Sequence, residues 1–357
     1  MTKFRAMKHV VPWTMLLVVL SVACSSSDEI DPSTTSGGGG GAGGTGGGEP
    51  ACVPHEATTE TVQAANDHGT LEGTLEIPLG CGEVPVVVLV SGSGSQDRDG
   101  DNPASPNPIG LLRVLSQTIR DQTGAATLRY DDPGIGGSVS AIPANVEDFL
   151  FEDEVDSAAA FVAAMRQDGR FELVIVAGHS MGSLIGILVD QTHPLDGFVS
   201  LAGAGRRVSE LLREQLADQL TSEQYQQLEE ALTAMENGEL AGPVDPPLDQ
   251  IIPPVFQPYF VSWIAHDPAE EFAKSTIPSL IIQGLTDIQV TEADAQLLAA
   301  ARPDATLVLV PDMAHTLKQA TDSPADQNAA YTDPNVPFAP GLMPPLVTFV
   351  DQLAPRR

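Results

Sequence analysis

One serine, one aspartate and one histidine in this 357-residue sequence have the types and the order that nucleophilic catalysis requires. Ser180 lies between two glycines in the segment Gly178–Gly182, which reads Gly-His-Ser-Met-Gly. A serine hydroxyl is a weak nucleophile, so it needs a basic side chain, and that base needs a carboxylate to orient it. Asp287 and His315 each follow an apolar stretch further along the chain. We therefore predict acyl transfer with Ser180 as nucleophile, Asp287 as orienting acid and His315 as general base.

Other residues remain open as alternatives for two of these roles. Among the histidines, His193 follows the helix predicted after the serine, and His266 lies in a segment without predicted strands. An ordinary surface position is the default interpretation of both. Asp294 and Asp312 are the alternative acids. The acid must reach the distal imidazole nitrogen, and this requirement favours Asp287 over both of them.

The negative charge that develops on the substrate oxygen needs two backbone N–H donors. Met181, the residue after the nucleophile, supplies one of them. A second donor is expected from the loop 91–99, which is rich in serine and glycine and follows the apolar stretch 84–90. Short side chains let the backbone of such a loop approach a substrate closely.

The elements that position these residues alternate between strands and helices. Strands are predicted at 60–65, 70–77, 84–90, 126–130, 173–177, 197–201, 279–283 and 306–310. Helices are predicted at 109–122, 146–167, 292–301 and 346–353, with a further helix from residue 181. Apolar strands separated by helices indicate an α/β fold with a mostly parallel sheet that is covered on both faces.

One segment, at about 205–276, contains no predicted strand and reads as a helical insertion. It holds a charged helical stretch at 208–237 and a cluster of four aromatic side chains, Phe256, Tyr259, Phe260 and Trp263. Insertions at the carboxyl ends of strands often carry function in open α/β sheets, so we predict a cap over the site. The aromatic side chains then form either an acyl pocket or the core of the cap itself.

The first 23 residues are typical of an export signal. Three basic side chains precede residue 10, and an apolar run covers residues 10–23. As a helix this run is about 21 Å long, which is short for a hydrocarbon core of about 30 Å. We therefore predict a signal peptide over residues 1–23, with a short transmembrane anchor as the alternative.

The segment 20–24, Leu-Ser-Val-Ala-Cys, resembles the lipobox of bacterial lipoproteins, which ends in a cysteine that carries acyl chains. It departs from the usual pattern at Ser21, where leucine is preferred. The resemblance implies a lipidated Cys24, and Ser25 in place of aspartate implies sorting to the outer membrane, on its periplasmic or its cell-surface face. Secretion is the alternative. A flexible tether rich in glycine and serine is predicted over residues 24–58.

Cys52 and Cys81 are the remaining cysteines and form an even pair in a protein that is predicted to be exported. Disulfide bonds persist outside the cytoplasm, so we predict a bond between these two residues. Two unpaired thiols are the alternative.

Charge and composition exclude several classes of function. The chain has 17 Lys and Arg against 48 Asp and Glu, a formal net charge of −31. Phosphate backbones and anionic lipids would repel such a surface, so electrostatic binding to nucleic acid or to a bilayer is excluded. Cys and His residues do not show metal-ligand spacing, and no glycine-rich phosphate fingerprint follows a first strand. We therefore expect no metal and no cofactor, and we predict no protein partner.

Together, several segments resemble the α/β-hydrolase fold, and most closely the capped bacterial serine esterases. They are Gly178–Gly182, 91–99, 129–138, 284–287 and His315. The loop 91–99 reads Ser-Gly-Ser-Gly-Ser-Gln-Asp-Arg-Asp and carries Ser91 where the family usually has histidine. The resemblance covers about residues 59–353 of a catalytic domain placed at 59–357. It implies the triad already named, and it implies that the amides of Ser93 and Met181 form the oxyanion hole.

The expected activity is hydrolysis of small-molecule carboxylic esters with small or medium acyl chains. A serine aminopeptidase or an acyl thioesterase is the alternative, because the same triad serves all three. An aminopeptidase would need acidic residues for the substrate amine, and Glu152, Asp153 and Glu154 are candidates, although a solvated helix face is the plainer interpretation. An alternative of another class is a non-catalytic surface lipoprotein that binds a ligand.

Overall fold

The computed structural model describes residues 54–354. An eight-stranded sheet lies at its centre, in the order β10-β9-β8-β7-β5-β6-β3-β2. Its strands are β2 (Thr58–Ala65), β3 (Thr70–Ile77), β5 (Val84–Val90), β6 (Ala126–Tyr130), β7 (Phe171–His179), β8 (Gly197–Leu201), β9 (Ser279–Gly284) and β10 (Thr306–Val310). The six strands from β10 to β6 are parallel to one another. In contrast, β3 runs antiparallel to β6, and β2 runs antiparallel to β3. All eight predicted strands are confirmed, and β7 is longer than predicted.

The helices are α1 (Leu111–Thr123), α2 (Phe151–Gln167), α3 (Met181–Thr192), α4 (Val208–Leu216), α5 (Ser222–Glu236), α6 (Leu248–Ile251), α7 (Gln257–Ile264), α8 (Pro268–Phe272), α9 (Glu292–Ala301), α10 (Pro324–Thr332) and α11 (Met343–Leu353). In the part of the chain that the structure describes, no helix is long and apolar enough to cross a membrane.

Helices cover both faces of the sheet because its inner strands are buried on both faces and are mostly apolar. In β5, Val86, Val88 and Val90 pack into one apolar core, together with side chains of α2, α3 and α9. Val87 and Leu89 point the other way, into a second core with α1 and α11. Successive strand residues face opposite sides of a sheet, so an unbroken apolar run needs a cover on each side. The predicted α/β-hydrolase architecture is thus confirmed.

The long helix predicted from residue 146 begins instead at Phe151, and this prediction was wrong. Residues Val146–Asp148 form a 3₁₀ turn. At the start of α2, the Leu150 N–H donates to Asp153 Oδ2 at 2.7 Å. Phe149 stacks on Tyr259 of the insertion, with 5.6 Å between ring centroids. Packing against the insertion therefore overrides the continuous helical pattern of the sequence.

The insertion between β8 and β9 contains helices α4 to α8 and has an apolar core of its own. Its predicted helical stretch at 208–237 is in fact two helices, because the chain breaks before Thr221. The Thr221 side chain accepts the Gln224 N–H and caps α5. The insertion thus forms a small helical subdomain beside the carboxyl ends of the strands.

Several predictions fall on residues outside 54–354. They are the signal peptide at 1–23, the lipid-bearing Cys24, Cys52 and all of the tether before residue 54. The last residues of the predicted tether include a short strand, β1 (Pro54–His55), which pairs with β4 (Gly80–Cys81). Cys81 is disulfide-bonded, while its predicted partner, Cys52, lies outside the described residues.

Candidate active site

Ser180 lies at a sharp turn between β7 and α3. Its backbone has φ 55° and ψ −118°, a conformation that residues with a Cβ rarely adopt. Such a backbone costs about 1–3 kcal/mol and persists only where its surroundings impose it. A side chain at Gly178 would overlap the carbonyl oxygen of Gly182, and one at Gly182 would overlap that of Ser91. The flanking glycines therefore allow the close approach that presents the Ser180 hydroxyl.

His315 and Asp287 complete a continuous chain of hydrogen bonds from Ser180. His315 Nε2 lies 3.0 Å from Ser180 Oγ, and His315 Nδ1 lies 2.8 Å from Asp287 Oδ2. The three residues follow β7, β9 and β10, which are parallel, so they meet at one edge of the sheet. Both His315 and Asp287 are buried. This geometry suits proton transfer from serine to histidine.

Asp287 is held by donors on both carboxylate oxygens. Oδ1 accepts the backbone N–H groups of Gln289 and Val290, at 2.8 and 3.0 Å. Oδ2, which faces His315, also accepts a hydrogen bond from Gln283 Nε2 at 3.1 Å. The carboxylate therefore has one orientation. The sequence analysis missed Gln283, a buried glutamine within a strand that otherwise reads as apolar.

His179, next to the nucleophile, supports the backbone of His315. Its Nε2 lies 2.8 Å from the carbonyl oxygen of His315, and a carbonyl can only accept, so Nε2 carries the hydrogen. Burial, with the nearby His315, lowers the pKa of His179 to about 4, so this ring is neutral at neutral pH. A side chain at Gly92 would come within 3.1 Å of His179 Nδ1, which explains glycine there.

The loop after β5 passes directly over the nucleophile. A Cβ at Gly92 would lie 3.3 Å from the Ser180 Cβ, and Ser93 borders the same cavity as Ser180 and Met181. This places the backbone around Ser93 beside the start of α3.

Two aspartates that follow β6 fix this loop. Asp132 accepts the Ser91 hydroxyl at 2.6 Å and the Gln96 N–H at 2.8 Å. Burial raises the pKa of Asp132, whereas these two hydrogen bonds oppose the shift. Asp131 binds the backbone N–H and the guanidinium of Arg98, at 2.8 and 2.9 Å. The Ser91 hydroxyl thus has a structural partner at the position where the family usually has histidine.

Comparison with known proteins identifies the family. Residues 87–331, more than half of the chain, match the alpha/beta hydrolase family. The chain belongs to this family.

Individual relatives of this hydrolase are distant. It is 28% identical over 250 residues to Esterase EstD of Thermotoga maritima, a match that covers 69% of this chain and 58% of that protein. The chain therefore spans less than two thirds of the length of this curated relative. Among solved structures, the alpha/beta hydrolase GrgF from Penicillium sp. sh18 is 13% identical, with a TM-score of 0.54 and coverage of 83% and 98%. Est1E from Butyrivibrio proteoclasticus is 16% identical, with a TM-score of 0.48 and coverage of 76% and 95%.

The hydrolase has a cavity of about 120 Å³ between the Ser180 turn and the insertion. Three of the four predicted aromatic side chains border it, namely Tyr259, Phe260 and Trp263. Phe256 instead lies in the turn before α7 and belongs to the apolar core of the insertion. The aromatic cluster therefore contributes both to the cavity wall and to the apolar core of the insertion.

The alternative triad residues lie in other environments. Asp294 is buried and binds the Arg206 guanidinium at 2.9 Å, and Asp312 is exposed. His193 lies beside its neighbour Thr192, with 3.1 Å between Nδ1 and the Thr192 hydroxyl, and His266 binds Glu152. The structure therefore joins only the first choices, Ser180, Asp287 and His315, within the described residues. Within 54–354, no group of three or more His, Cys, Asp or Glu side chains could hold a metal ion.

Proposed function

We propose that this hydrolase cleaves carboxylic esters through an acyl-enzyme. The observation that carries the proposal is the unbroken hydrogen-bond chain from Asp287 through His315 to Ser180 at the cavity wall. The similarity to Esterase EstD supports the ester as the bond that is cleaved.

In the acylation step, Ser180 Oγ bonds to the ester carbonyl carbon while its proton passes to His315 Nε2. The carbonyl oxygen becomes negative and accepts hydrogen bonds from the amides of Ser93 and Met181. His315 then gives the proton to the leaving alkoxy oxygen as the ester C–O bond breaks. A water molecule repeats both steps and releases the carboxylic acid. Asp287 holds the imidazole tautomer and stabilises its charged form.

Acyl chains of small or medium length fit the cavity best. A protein cavity of about 150 Å³ accommodates benzene, so one of about 120 Å³ has room for a few carbon atoms. We expect kcat/KM to be highest for p-nitrophenyl acetate to butyrate and at least 10-fold lower for the laurate. Initial rates across this ester series, measured on the full chain, test the prediction. A rise in kcat/KM up to laurate would contradict it, and no turnover of any ester would indicate a non-catalytic binding protein.

Outside the described residues, we propose that Cys24 carries the acyl chains that anchor the protein at the outer membrane. The signal peptide then covers residues 1–23, a tether covers 24–58, and the catalytic domain with its cap at about 205–276 covers 59–357. Acyl chains contribute about 0.8 kcal/mol per buried CH₂, which does not depend on the charge of the protein. Acyl chains could therefore hold at the membrane a protein with a net charge of −31, whose surface anionic lipids would repel.

Labelling with radioactive palmitate in the expressing bacterium tests this anchor. The wild-type chain and Cys52→Ser should incorporate the label, and Cys24→Ser should lose it. A label that remains in Cys24→Ser would refute lipidation at this residue.

A further inference from the structure

The wall of the substrate cavity contains one carboxyl group that the triad mechanism does not use. Glu154, in the first turn of α2, borders the cavity together with Ser180. It has no hydrogen-bond or ion-pair partner among residues 54–354. The neighbouring acidic residues of this turn do have partners: Glu152 binds His266, and Asp153 binds His68. Of the three acidic residues that the sequence offered for binding an amine, two are thus paired with histidines, and only Glu154 lies at the cavity.

Among the described residues that line the cavity, Glu154 is also the only charged one without an oppositely charged partner. The other charged side chain at the cavity is Arg206. Its guanidinium binds Asp294 at 2.9 Å and Glu214 at 2.6 Å, so two carboxylates neutralise it. An enclosed carboxylate without a partner is costly, because it loses water without gaining a counter-charge. An ionised Glu154 would therefore leave one negative charge unbalanced at the cavity wall.

The surroundings of Glu154 disfavour its ionised form when the cavity holds no cation. Burial raises the pKa of Glu154 well above its usual value, and the charges of Asp132 and Asp153 act in the same direction. A cation that enters the cavity would oppose this rise in the pKa of Glu154, because it would supply a counter-charge to the ionised form. A neutral hydrogen-bond donor would oppose the rise less, because it brings no net charge.

The rest of the wall suits a cation. Tyr259, Phe260 and Trp263 border the same cavity as Glu154. Aromatic rings attract ammonium groups at their faces, and this attraction is stronger where water is excluded. The net charge of −31 also raises the local concentration of cations around the protein.

We propose that the cavity recognises esters that carry an ammonium group, with Glu154 as its counter-charge and the three aromatic rings as its apolar enclosure. This proposal rests on the ester hydrolysis proposed above and specifies its substrate class. The ammonium group belongs to either the alcohol or the acyl part of the ester, and the two arms of the experiment distinguish them.

The experiment compares esters of equal shape that differ in one charge. For the alcohol arm, acetylcholine is compared with 3,3-dimethylbutyl acetate. For the acyl arm, the p-nitrophenyl ester of trimethylammonioacetate is compared with p-nitrophenyl 3,3-dimethylbutanoate. The measured quantity is the ratio of kcat/KM, cationic over neutral, in the full-length wild type and in each variant, so intrinsic differences in ester reactivity cancel.

Glu154→Gln should lower this ratio at least 10-fold in one arm. Asp156→Asn removes the same charge from an exposed position of α2 and should leave the ratio within twofold. An unchanged ratio in Glu154→Gln in both arms would overturn the inference, while turnover of the neutral esters would leave the proposed ester hydrolysis intact.

A binding measurement separates the two proposals if no ester is cleaved. Isothermal titration calorimetry with phenyltrimethylammonium uses the full-length Ser180→Ala chain and the Ser180→Ala, Glu154→Gln double variant. Binding should be at least 10-fold weaker in the double variant. Equal affinity, or no binding to either chain, would overturn the inference whatever the enzyme hydrolyses.

Discussion

Replacing Ser180 by alanine is expected to lower kcat for p-nitrophenyl acetate by about 10⁵- to 10⁶-fold, as loss of the nucleophile does in other serine hydrolases. The Ser180 hydroxyl is the only group of the hydrogen-bond chain that can bond to the ester carbon, because His315 and Asp287 lie behind it. The remaining rate would come from binding and from the oxyanion donors alone.

Ser222→Ala makes the same change at an exposed position of α5 and serves as the matched control. It should keep the wild-type kcat. Because alanine retains a Cβ, it leaves the positive φ of residue 180 as strained as before, so the stability of Ser180→Ala should stay close to wild type. A Ser180→Ala chain that keeps a tenth or more of the wild-type kcat would exclude the acyl-enzyme.

Pre-steady-state kinetics on the wild type provide a second readout. If deacylation is slower than acylation, mixing with excess p-nitrophenyl ester releases a burst of one p-nitrophenol per chain. Ser180→Ala should show neither the burst nor the steady-state release.

The inner strands could be predicted because buried strands appear in the sequence as short, mostly apolar runs. All five residues of β6 and all six of β9 are buried; Asp131 follows β6, and Pro278 precedes β9. The order of the strands could not be predicted this way. That β5 lies between β6 and β7 depends on pairings between residues up to 88 positions apart, such as Val90 and Gly178, which hydropathy does not encode.

The triad residues could be found because each follows a strand and has a reactive type. The residues that support them gave weaker signals. Asp132 acts through hydrogen bonds to the loop after β5, and Gln283 acts through a hydrogen bond to Asp287. Both residue types are common in loops and at strand ends. Glu154 is one of three consecutive acidic residues, and only the packing of the insertion on α2 places it, rather than Glu152, at the cavity.

Asp287→Asn is expected to lower kcat by about 10⁴-fold, the cost of the equivalent change in another serine hydrolase. The reason lies in the orientation that the asparagine must adopt. Gln289 and Val290 both donate backbone N–H groups to Oδ1, so the amide oxygen takes that position. The NH₂ group then faces His315, where the carboxylate oxygen was.

An NH₂ group that faces His315 Nδ1 can only donate, so Nδ1 must become the acceptor and Nε2 must carry the hydrogen. Nε2 then has no lone pair for the proton of Ser180, at the 3.0 Å contact on which acylation depends. Gln283 Nε2, 3.1 Å from the same atom of residue 287, would face a second donor and cannot restore the wild-type arrangement. The loss should therefore appear in kcat more than in KM.

Asp312→Asn is the matched control for Asp287→Asn, because it makes the same change three residues before His315. Asp312 is exposed and has φ 49°, a conformation that asparagine accepts at least as well as aspartate. Steady-state hydrolysis of p-nitrophenyl butyrate should show wild-type kcat for Asp312→Asn. If Asp287→Asn lost less than 10-fold in kcat, orientation of His315 by this carboxylate would not be needed for catalysis. An equal loss of kcat in both variants would instead assign the effect to the loop that carries His315. Of the two replaced residues, only residue 287 contacts the imidazole.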